Sequence, residues 1–328
     1  MKKRSLFLLS SVAACVLLSA CQDETAESIS STGTETVATP SPDEPKYVFP
    51  EADAPDAFHR AYVMTESPDG NLRLFSRETR DDTDIFQTVR KKDGSWSEPE
   101  KLDWPKNRSN VNPFFSPWDG KLYFASDRPV PGFENRREMN LYSIERTEDG
   151  EWGEAVYLPG DVNTGADETN VTMSPDGTMY FVSKHPRGQG GQDIYMARYD
   201  SELEEWKFEA LPENVSSPRV ESHVTVTPDG QNLIFYSYLQ PKLGVVDLKV
   251  VTRQEDGSWI GPYSLGPKIN TRGIDFGTGL SHDGKTFFFS REGRLMEMPV
   301  SALMKEIETA RQAYLDGREL SHLGLPEE

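Results

Sequence analysis

One four-residue turn recurs five times along this chain, and its recurrence restricts the possible folds more than any other feature of the sequence. Each copy reads Ser/Thr-Pro-Asp-Gly or a close variant, and the aspartates of successive copies lie 50, 57, 53 and 54 residues apart. Proline favours the first corner of a turn, aspartate accepts backbone N–H groups, and glycine takes the positive φ that lets a hairpin close. The copies lie at 67–70, 116–120, 174–177, 227–230 and 281–284.

The segments between these turns indicate a repeated unit of four strands. Alternating or apolar runs stand on both sides of each turn, as in 171–173 and 179–182, and such runs are typical of strands. No helical period of useful length appears before residue 301. Four-stranded antiparallel units that repeat without helices predict an all-β fold, the β-propeller, because one blade cannot bury both of its faces alone. The first four units also carry a second turn that ends in a tryptophan, which we expect to pack between neighbouring blades: Trp96, Trp152, Trp206 and Trp259.

The repeat resembles that of TolB-type propellers, the Pro-Asp-Gly relatives of WD repeats. The resemblance rests on Ser-Pro-Asp-Gly, Leu-Tyr-Phe, Asp-Ile-Tyr and Gly-x-Trp in succession, and on Leu-Gly-Pro-Lys-Ile-Asn-Thr at 265–271; it covers about residues 50–308. Within this group the chain is similar to compact exported proteins of five repeats that end in a helix. The resemblance implies binding of a ligand or partner and does not imply one particular activity.

We predict five blades in a propeller domain at 47–300, and a six-bladed TolB-like arrangement is the alternative. The fifth unit lacks a fourth strand, whereas 47–58 precedes the first unit and belongs to no repeat. We therefore expect part of 47–58 to complete the last blade and to close the ring.

The N-terminus has the pattern of an export signal. Three basic residues are followed by 16 largely apolar residues at 5–20, a run shorter than the ~20 residues of a membrane-spanning helix. Leu18-Ser19-Ala20-Cys21 resembles the bacterial lipobox, which implies removal of a signal peptide at 1–20 and a lipid on Cys21. The alternatives are an ordinary signal peptide with a chance cysteine and an uncleaved anchor.

Residues 21–46 contain few apolar side chains and predict a disordered tether. Gln22 follows the lipobox cysteine, and by resemblance to the sorting rule of enteric lipoproteins it favours the outer membrane, with the domain facing the periplasm. Cys15 and Cys21 are the two cysteines of the chain. If one is removed and the other lipidated, the folded domain has neither a disulfide nor a cysteine ligand or nucleophile.

The formal net charge of −19 argues against nucleic acid as a partner, because such a surface repels phosphates. We expect a monomer without cofactor or metal, whose partner is an envelope protein or a glycan. Hydrolases of the prolyl-peptidase kind, zinc proteases and P-loop enzymes are not indicated, since the chain has no Gly-x-Ser-x-Gly, His-Glu-x-x-His or Walker motif.

Candidate binding residues come from the connections between units. Three of these connections align without gaps, and each ends on a carboxylate six residues before the Ser or Thr of the following turn. In a meander, these connections share one face, the top, with the loops between second and third strands, and basic residues begin several of those loops. We predict a ligand site at the top mouth of the channel from Glu168, Glu221, Asp275, His223, Arg77, Arg128 and Arg291.

Other roles for these side chains remain open at this point. The acids and bases could pair across adjacent blades, or the carboxylates could cap the turns that precede them, instead of forming a polar pocket for a cation, a sugar or a peptide terminus. We therefore predict a binding or scaffold module of the cell envelope rather than an enzyme. The alternative is a carbohydrate-active enzyme that uses the carboxylates, two of which would have to lie ~5–10 Å apart.

The C-terminal segment, 301–328, predicts a helix and a tail. Ser301 is suited to cap the N-terminus of the helix and Gly317 to end it. Leu303, Ile307, Ala310 and Tyr314 form one apolar stripe at helical spacing. We expect this stripe to pack on the bottom rim of the propeller, and binding of a partner protein is the alternative.

Overall fold

The computed structural model describes residues 41–49, 60–79, 83–104, 108–130, 132, 137–147 and 149–326. Within these residues the chain forms five four-stranded antiparallel sheets, the blades of a propeller, followed by a helix. The prediction of five blades is confirmed. The predicted signal peptide, the lipidation site Cys21 and the tether up to residue 40 lie outside the described residues.

The strands follow one another in chain order with short connections. They are β1 (Lys46–Tyr47), β2 (Ala61–Glu66), β3 (Leu72–Glu78), β4 (Thr83–Val89), β5 (Glu100–Lys101), β6 (Asn110–Phe115), β7 (Leu122–Ser126), β8 (Asn140–Ile144), β9 (Val156–Tyr157), β10 (Glu168–Met173), β11 (Met179–Ser183), β12 (Asp193–Asp200), β13 (Glu205–Ala210), β14 (Glu221–Val226), β15 (Asn232–Ser237), β16 (Asp247–Arg253), β17 (Trp259–Ser264), β18 (Asp275–Leu280), β19 (Thr286–Arg291) and β20 (Arg294–Pro299). The helices are α1 (Val300–Leu315) and α2 (Glu319–His322).

Blades 1 to 4 are consecutive meanders, β2–β5, β6–β9, β10–β13 and β14–β17. The first strand of each blade is the innermost, and neighbouring inner strands contact one another around a central channel. We call the face at which the inner strands begin the top, and the face that carries the five recurrent turns the bottom.

Blade 5 is completed by the N-terminal segment, as the sequence predicts. β18, β19 and β20 follow one another, and β1 adds antiparallel to β20 with Lys46 opposite Glu297 and Tyr47 opposite Met296. The closing strand begins at Lys46, one residue before the predicted start of the domain. β1 thus supplies the outermost strand of blade 5, and the pairing of the two chain ends closes the ring.

The recurrent turns have the geometry that their sequence predicts. In the third blade, the Ser174 hydroxyl donates to Asp176 Oδ1 at 2.6 Å and the Thr178 N–H donates to the same oxygen at 3.0 Å. The final glycine of each turn has a φ between +67° and +83°. The fifth turn keeps this geometry although His282 replaces proline, because Ser281 and Asp283 form the same hydroxyl–carboxylate bond at 2.7 Å.

The apolar core lies between neighbouring blades. Trp206 of blade 3 packs edge-on against Trp118 of blade 2 at 5.8 Å between ring centroids, and Trp259 of blade 4 packs against Tyr180 of blade 3 at 6.4 Å. The predicted packing of tryptophans between blades is confirmed for these two.

Helix α1 packs on blades 4 and 5. Its buried residues Leu303, Ile307 and Ala310 belong to one apolar cluster with Phe287 and Phe289 of β19. This confirms the prediction that the helix docks on its own propeller. The helix is not confined to the bottom rim, however, because Glu306 pairs at 2.8 Å with Lys268 of the top connection between blades 4 and 5. Neither helix in the described part of the chain has the length and apolar character of a membrane-spanning segment.

Of the two capping residues predicted for α1, one is wrong and one is confirmed. Ser301 is not the N-cap; that position is taken by the extended residue Pro299, because the Val300 N–H still bonds to the Lys285 carbonyl. The C-terminal prediction is confirmed, since Gly317 follows the helix with φ +68° and its N–H bonds to the Tyr314 carbonyl.

Candidate functional site

The three predicted carboxylates begin the inner strands of blades 3, 4 and 5. Glu168, Glu221 and Asp275 are each the first residue of their strand, which places them at the top end of the channel wall. All three are 0% exposed. They lie beneath the connections that precede them, so they do not form an open acidic surface.

Each carboxylate is held by the connection that leads into its own strand. Glu168 accepts the N–H of Thr164 at 3.0 Å and its hydroxyl at 2.5 Å, and the Ser183 hydroxyl at 2.9 Å. Glu221 accepts the N–H of Ser217 at 2.8 Å and its hydroxyl at 2.6 Å. The bonded partner lies four residues earlier in both cases. These are the bonds expected of carboxylates that cap the turns, which is one of the alternatives that the sequence leaves open.

Asp275 caps its preceding turn in the same way, and it also pairs with the guanidinium of Arg291. Its Oδ2 accepts the N–H and the hydroxyl of Thr271 at 2.6 and 2.8 Å, and its Oδ1 accepts from Arg291 Nε at 3.1 Å. Both partners of this ion pair belong to blade 5. The alternative that acids and bases pair across adjacent blades does not apply to this pair, because β18 and β19 bring the two side chains together within one sheet.

Burial raises the pKa of these acids despite their hydrogen bonds. The pKa rises to about 7 for Glu168 and to about 6 for Glu221, because desolvation of the carboxylate outweighs the donors around it. The pKa of Asp275 is also raised by burial, against the opposing effects of Thr271 and Arg291. A pKa near neutrality suits a general acid, but the bonded oxygens of these buried groups are directed at their own loops.

The predicted basic residues are placed on different parts of the blades. Arg128 Nη2 donates to Asn110 Oδ1 at 2.9 Å, and its guanidinium lies over the Phe124 ring at 4.7 Å. Arg77 lies over Phe86 at 4.7 Å. Together with Arg291, which is bonded to Asp275, these arginines stack or pair within their own blades instead of converging on one point.

His223 lies in the channel, as the contacts of its ring demonstrate. The imidazole stacks on Tyr62 with 5.2 Å between ring centroids and 23° between planes. Tyr62 belongs to blade 1 and His223 to blade 4, which are separated by blade 5, so this contact crosses the channel. Burial lowers the pKa of His223 to about 3, so the imidazole is neutral at physiological pH.

His223 is part of an aromatic cluster at the mouth of the channel. Phe276 lies 5.7 Å from Tyr62, Tyr236 lies 5.1 Å from His223, and Tyr238 lies 6.3 Å from Tyr236, all between ring centroids. Tyr238 is 47% exposed, whereas the other rings are half-buried. We call this set, Tyr62, His223, Tyr236, Tyr238 and Phe276, the mouth cluster.

Sequence reasoning identified only His223 of the mouth cluster. Tyr62 and Phe276 both occupy the second position of an inner strand, directly after the position of the predicted acids. Aromatic side chains at that shared position are the signal that would have found them. Tyr236 and Tyr238 lie at the end of β15 and could be placed only once His223 was known to cross the channel.

Two clefts lie away from the channel. One, of about 830 Å³, runs along α1 and α2 and is lined by residues such as Met304, Lys305 and His322. The other, of about 810 Å³, lies between blades 1 and 2 and is lined by Trp104, Trp152 and the predicted binding residue Arg128, among others. No three His, Cys, Asp or Glu side chains are grouped as metal ligands within the residues that the structure describes.

Comparison with known proteins gives similarity of fold only. No protein-family model matches the chain, and no curated protein matches its sequence. Among solved structures, TolB from Acinetobacter baumannii is 14% identical, with a TM-score of 0.39 over 74% of this chain and 54% of that one. The chain thus spans about half the length of that protein.

Two further structures have similar statistics. A putative TolB from Agrobacterium tumefaciens is 18% identical, with a TM-score of 0.43 over 72% of this chain and 74% of that one. A glycosyl hydrolase from Bacteroides ovatus is 10% identical, with a TM-score of 0.47 over 73% and 83%. This chain is thus a five-bladed β-propeller structurally similar to TolB-like propellers at low identity, and no activity of those proteins transfers to it.

Proposed function

We propose that this protein is a lipid-anchored β-propeller of the cell envelope whose top face binds a glycan or a protein ligand. The observation that supports a top-face site is the mouth cluster. Rings from blades 1, 4 and 5 meet where the channel opens, and Tyr238 at the edge is 47% exposed. Aromatic rings with a polar tip supply apolar area and hydrogen bonds together, which suits sugar rings and exposed side chains of a partner.

The hydrogen bonds and burial of Glu168 and Glu221 agree better with a binding protein than with a glycosidase. A glycosidase needs two carboxyl groups that reach the substrate from opposite sides of the scissile bond. Glu168 and Glu221 instead bond to Thr164 and Ser217 of their own connections and are not exposed. We therefore assign these two acids to the rigidity of the top loops, and the neutral aromatic rings to ligand contact.

The attachment of the N-terminal segment keeps it away from the channel. β1 pairs with β20 as the outermost strand of blade 5, and Asp43 pairs with Lys305 of α1 at 2.8 Å. A tether from a lipidated Cys21 would therefore join the domain at the outer edge of blade 5, whereas the mouth cluster lies at the central channel.

The ligand proposal is tested with the purified domain and extracts of the cell envelope. We expect saturable binding of one protein or glycan fraction, a large loss of binding in Tyr238→Ala, and unchanged binding in Tyr314→Ala. Tyr314 is the control because it is 37% exposed and lies on α1, outside the channel. Absence of any saturable ligand for the folded domain, or equal binding by both variants, would contradict the proposal.

The anchor is tested separately by detergent partitioning. Cys21→Ser should remain an unprocessed or soluble precursor, whereas Cys15→Ser, which changes the other cysteine of the chain, should partition like the wild-type protein. Unchanged partitioning of Cys21→Ser would refute the lipid anchor without affecting the ligand proposal.

A further inference from the structure

The second turns of blades 2 and 4 line two clefts on the side of the propeller. Trp152 lies in the cleft of about 810 Å³ between blades 1 and 2, and Trp259 lies in a cleft of about 510 Å³ between blades 3 and 4. Each tryptophan pairs across its turn with an arginine that lines the same cleft, Arg146 or Arg253. The repeat therefore places the two clefts at equivalent positions, and we call them the large cleft and the small cleft.

A second tryptophan distinguishes the large cleft from the small one. It is Trp104, from the connection between blades 1 and 2, whereas the connection between blades 3 and 4 contributes Pro212 and Asn214 to the small cleft. The planes of Trp104 and Trp152 meet at 84°, with 5.8 Å between the ring centroids. The two indoles thus form an aromatic corner in the wall of the large cleft.

The apolar core fixes this corner from behind. Phe124, which is fully buried, lies 4.7 Å from Trp104, and the buried ring of Phe115 stacks on Trp152 at 6.4 Å and 24°. Both indoles are only partly buried, and their remaining surface lines the cleft. Because the rings are already held in one orientation, a ligand that stacks on them would bind with little loss of side-chain entropy.

Polar side chains of both signs surround the aromatic corner. The guanidinium of Arg128 lies 5.8 Å from the centre of the Trp104 ring, and that of Arg146 lies 5.9 Å from the centre of the Trp152 ring. Three exposed carboxylates line the same cleft: Asp103, Glu151 and Glu154. A guanidinium only donates hydrogen bonds and an ionised carboxylate only accepts them, so this lining suits a ligand that does both.

A sugar ring has the chemistry that this lining requires. One face of a pyranose consists of C–H groups, which stack on an indole, and its hydroxyls donate to carboxylates and accept from guanidinium groups. The three carboxylates outnumber the two arginines, and the whole chain carries a formal charge of −19. An uncharged sugar therefore fits better than a uronic acid or a phosphorylated ligand.

We propose that the large cleft is a binding site for a neutral oligosaccharide, with one pyranose held in the corner between Trp104 and Trp152. Arg146 and Glu151 would bond to hydroxyls at the edge of that ring. The cleft lies at the outer strands of blades 1 and 2, apart from the mouth cluster. The site thus goes beyond the proposed ligand of the top face and does not depend on it.

The test titrates the purified protein with three neutral probes, maltohexaose, xylohexaose and chitohexaose, and measures binding by calorimetry. We expect saturable binding of at least one probe, weakened tenfold or more in Trp104→Leu. Arg146→Met, at an exposed side chain that leaves the core intact, should weaken it at least threefold. Trp259→Leu is the matched control, because it changes the equivalent tryptophan of the small cleft and should bind like the wild type.

The same titrations contain the results that would overturn the proposal. It fails if the folded wild type binds none of the three probes, or if hexagalacturonate or a proline-rich peptide binds more tightly than they do. It fails equally if Trp104→Leu and Arg146→Met both bind like the wild type, or if Trp259→Leu loses as much affinity as Trp104→Leu. Tyr238→Ala should bind the probes unchanged, and a loss there would place the sugar at the mouth cluster instead.

Discussion

Thr164 caps Glu168 with two hydrogen bonds, one from its N–H to Oε2 at 3.0 Å and one from its hydroxyl to Oε1 at 2.5 Å. Ser217 and Glu221 repeat this pair one blade further on. The carboxylates thus fix the connections between blades, and it is these connections that frame the channel mouth. The pair also links the stability of the top face to pH.

We expect the ionisation of Glu168 to lower the free energy of unfolding as the pH rises. Its pKa is near 4.5 in the unfolded chain and about 7 in the folded one, so between these values the folded state holds a proton that the unfolded state releases. From pH 5 to pH 8 the free energy of unfolding of the wild type, relative to Glu168→Gln, should fall by on the order of 1–3 kcal/mol. Denaturant unfolding of both proteins measures this difference.

His223 changes the free energy of unfolding with pH in the opposite sense to Glu168. The wild type is therefore compared with Glu168→Gln. The pKa of His223 is lowered to about 3, so its contribution to stability is lost as the pH falls below about 6.5. Both proteins contain His223, and its effect cancels in the difference. Parallel pH profiles of the two proteins would show that Glu168 is ionised in the folded state throughout this range.

Asp275 forms a buried ion pair with Arg291. Asp275 is fully buried, so Arg291→Met leaves an unpaired carboxylate and should lower the free energy of unfolding by about 2–4 kcal/mol. Adding Asp275→Asn should recover part of this loss, because no charge then remains buried. Arg272→Met, at an exposed arginine of the preceding connection, should change stability by less than about 0.5 kcal/mol. An equal effect of the two arginine substitutions would contradict the role of the ion pair.

Valine substitutions at two glycines distinguish the cost of a strained φ angle from the cost of a steric clash. Gly177 has φ +83° and Gly94 has φ +86°, but a Cβ on Gly177 would lie 2.9 Å from the Trp118 ring, whereas nothing lies within 4 Å of one on Gly94. Gly94→Val should cost about 1–3 kcal/mol from the φ angle alone, and Gly177→Val should cost more. Thermal unfolding compares them, and a Gly177→Val midpoint equal to that of the wild type would exclude the turn geometry described above.

The blades could be predicted from the sequence because the residues that specify each turn are adjacent in the chain. The turn at 174–177 carries its own hydrogen bonds and φ requirement, so each copy could be recognised without knowledge of the rest. The closing strand at Lys46 also followed, since the fifth unit lacked one strand. The positive φ of +48° at Val63 could not be predicted, because a β-branched residue such as valine disfavours that conformation.

The candidate site was harder to predict because its contacts join distant blades. The spacing correctly placed Glu168, Glu221 and Asp275 at the top of the inner strands, but it could not show that their own connections bury them. Likewise, His223 could be placed on an inner strand, but its stack on Tyr62 depends on the channel being narrow enough for blades 1 and 4 to touch.

Docking of α1 gives the last prediction. Ile307 is buried against the cluster that contains Phe287 and Phe289, so Ile307→Asp places an unpaired carboxylate in an apolar contact and should cost about 3–5 kcal/mol. For a domain of this size we expect the unfolding midpoint to fall by about 8–15 °C. Thr309→Asp, on the exposed face of the same helix, introduces the same charge and should leave the midpoint nearly unchanged. A midpoint that is also unchanged in Ile307→Asp, together with loss of a binding partner, would mean that the stripe serves a partner protein and not the propeller.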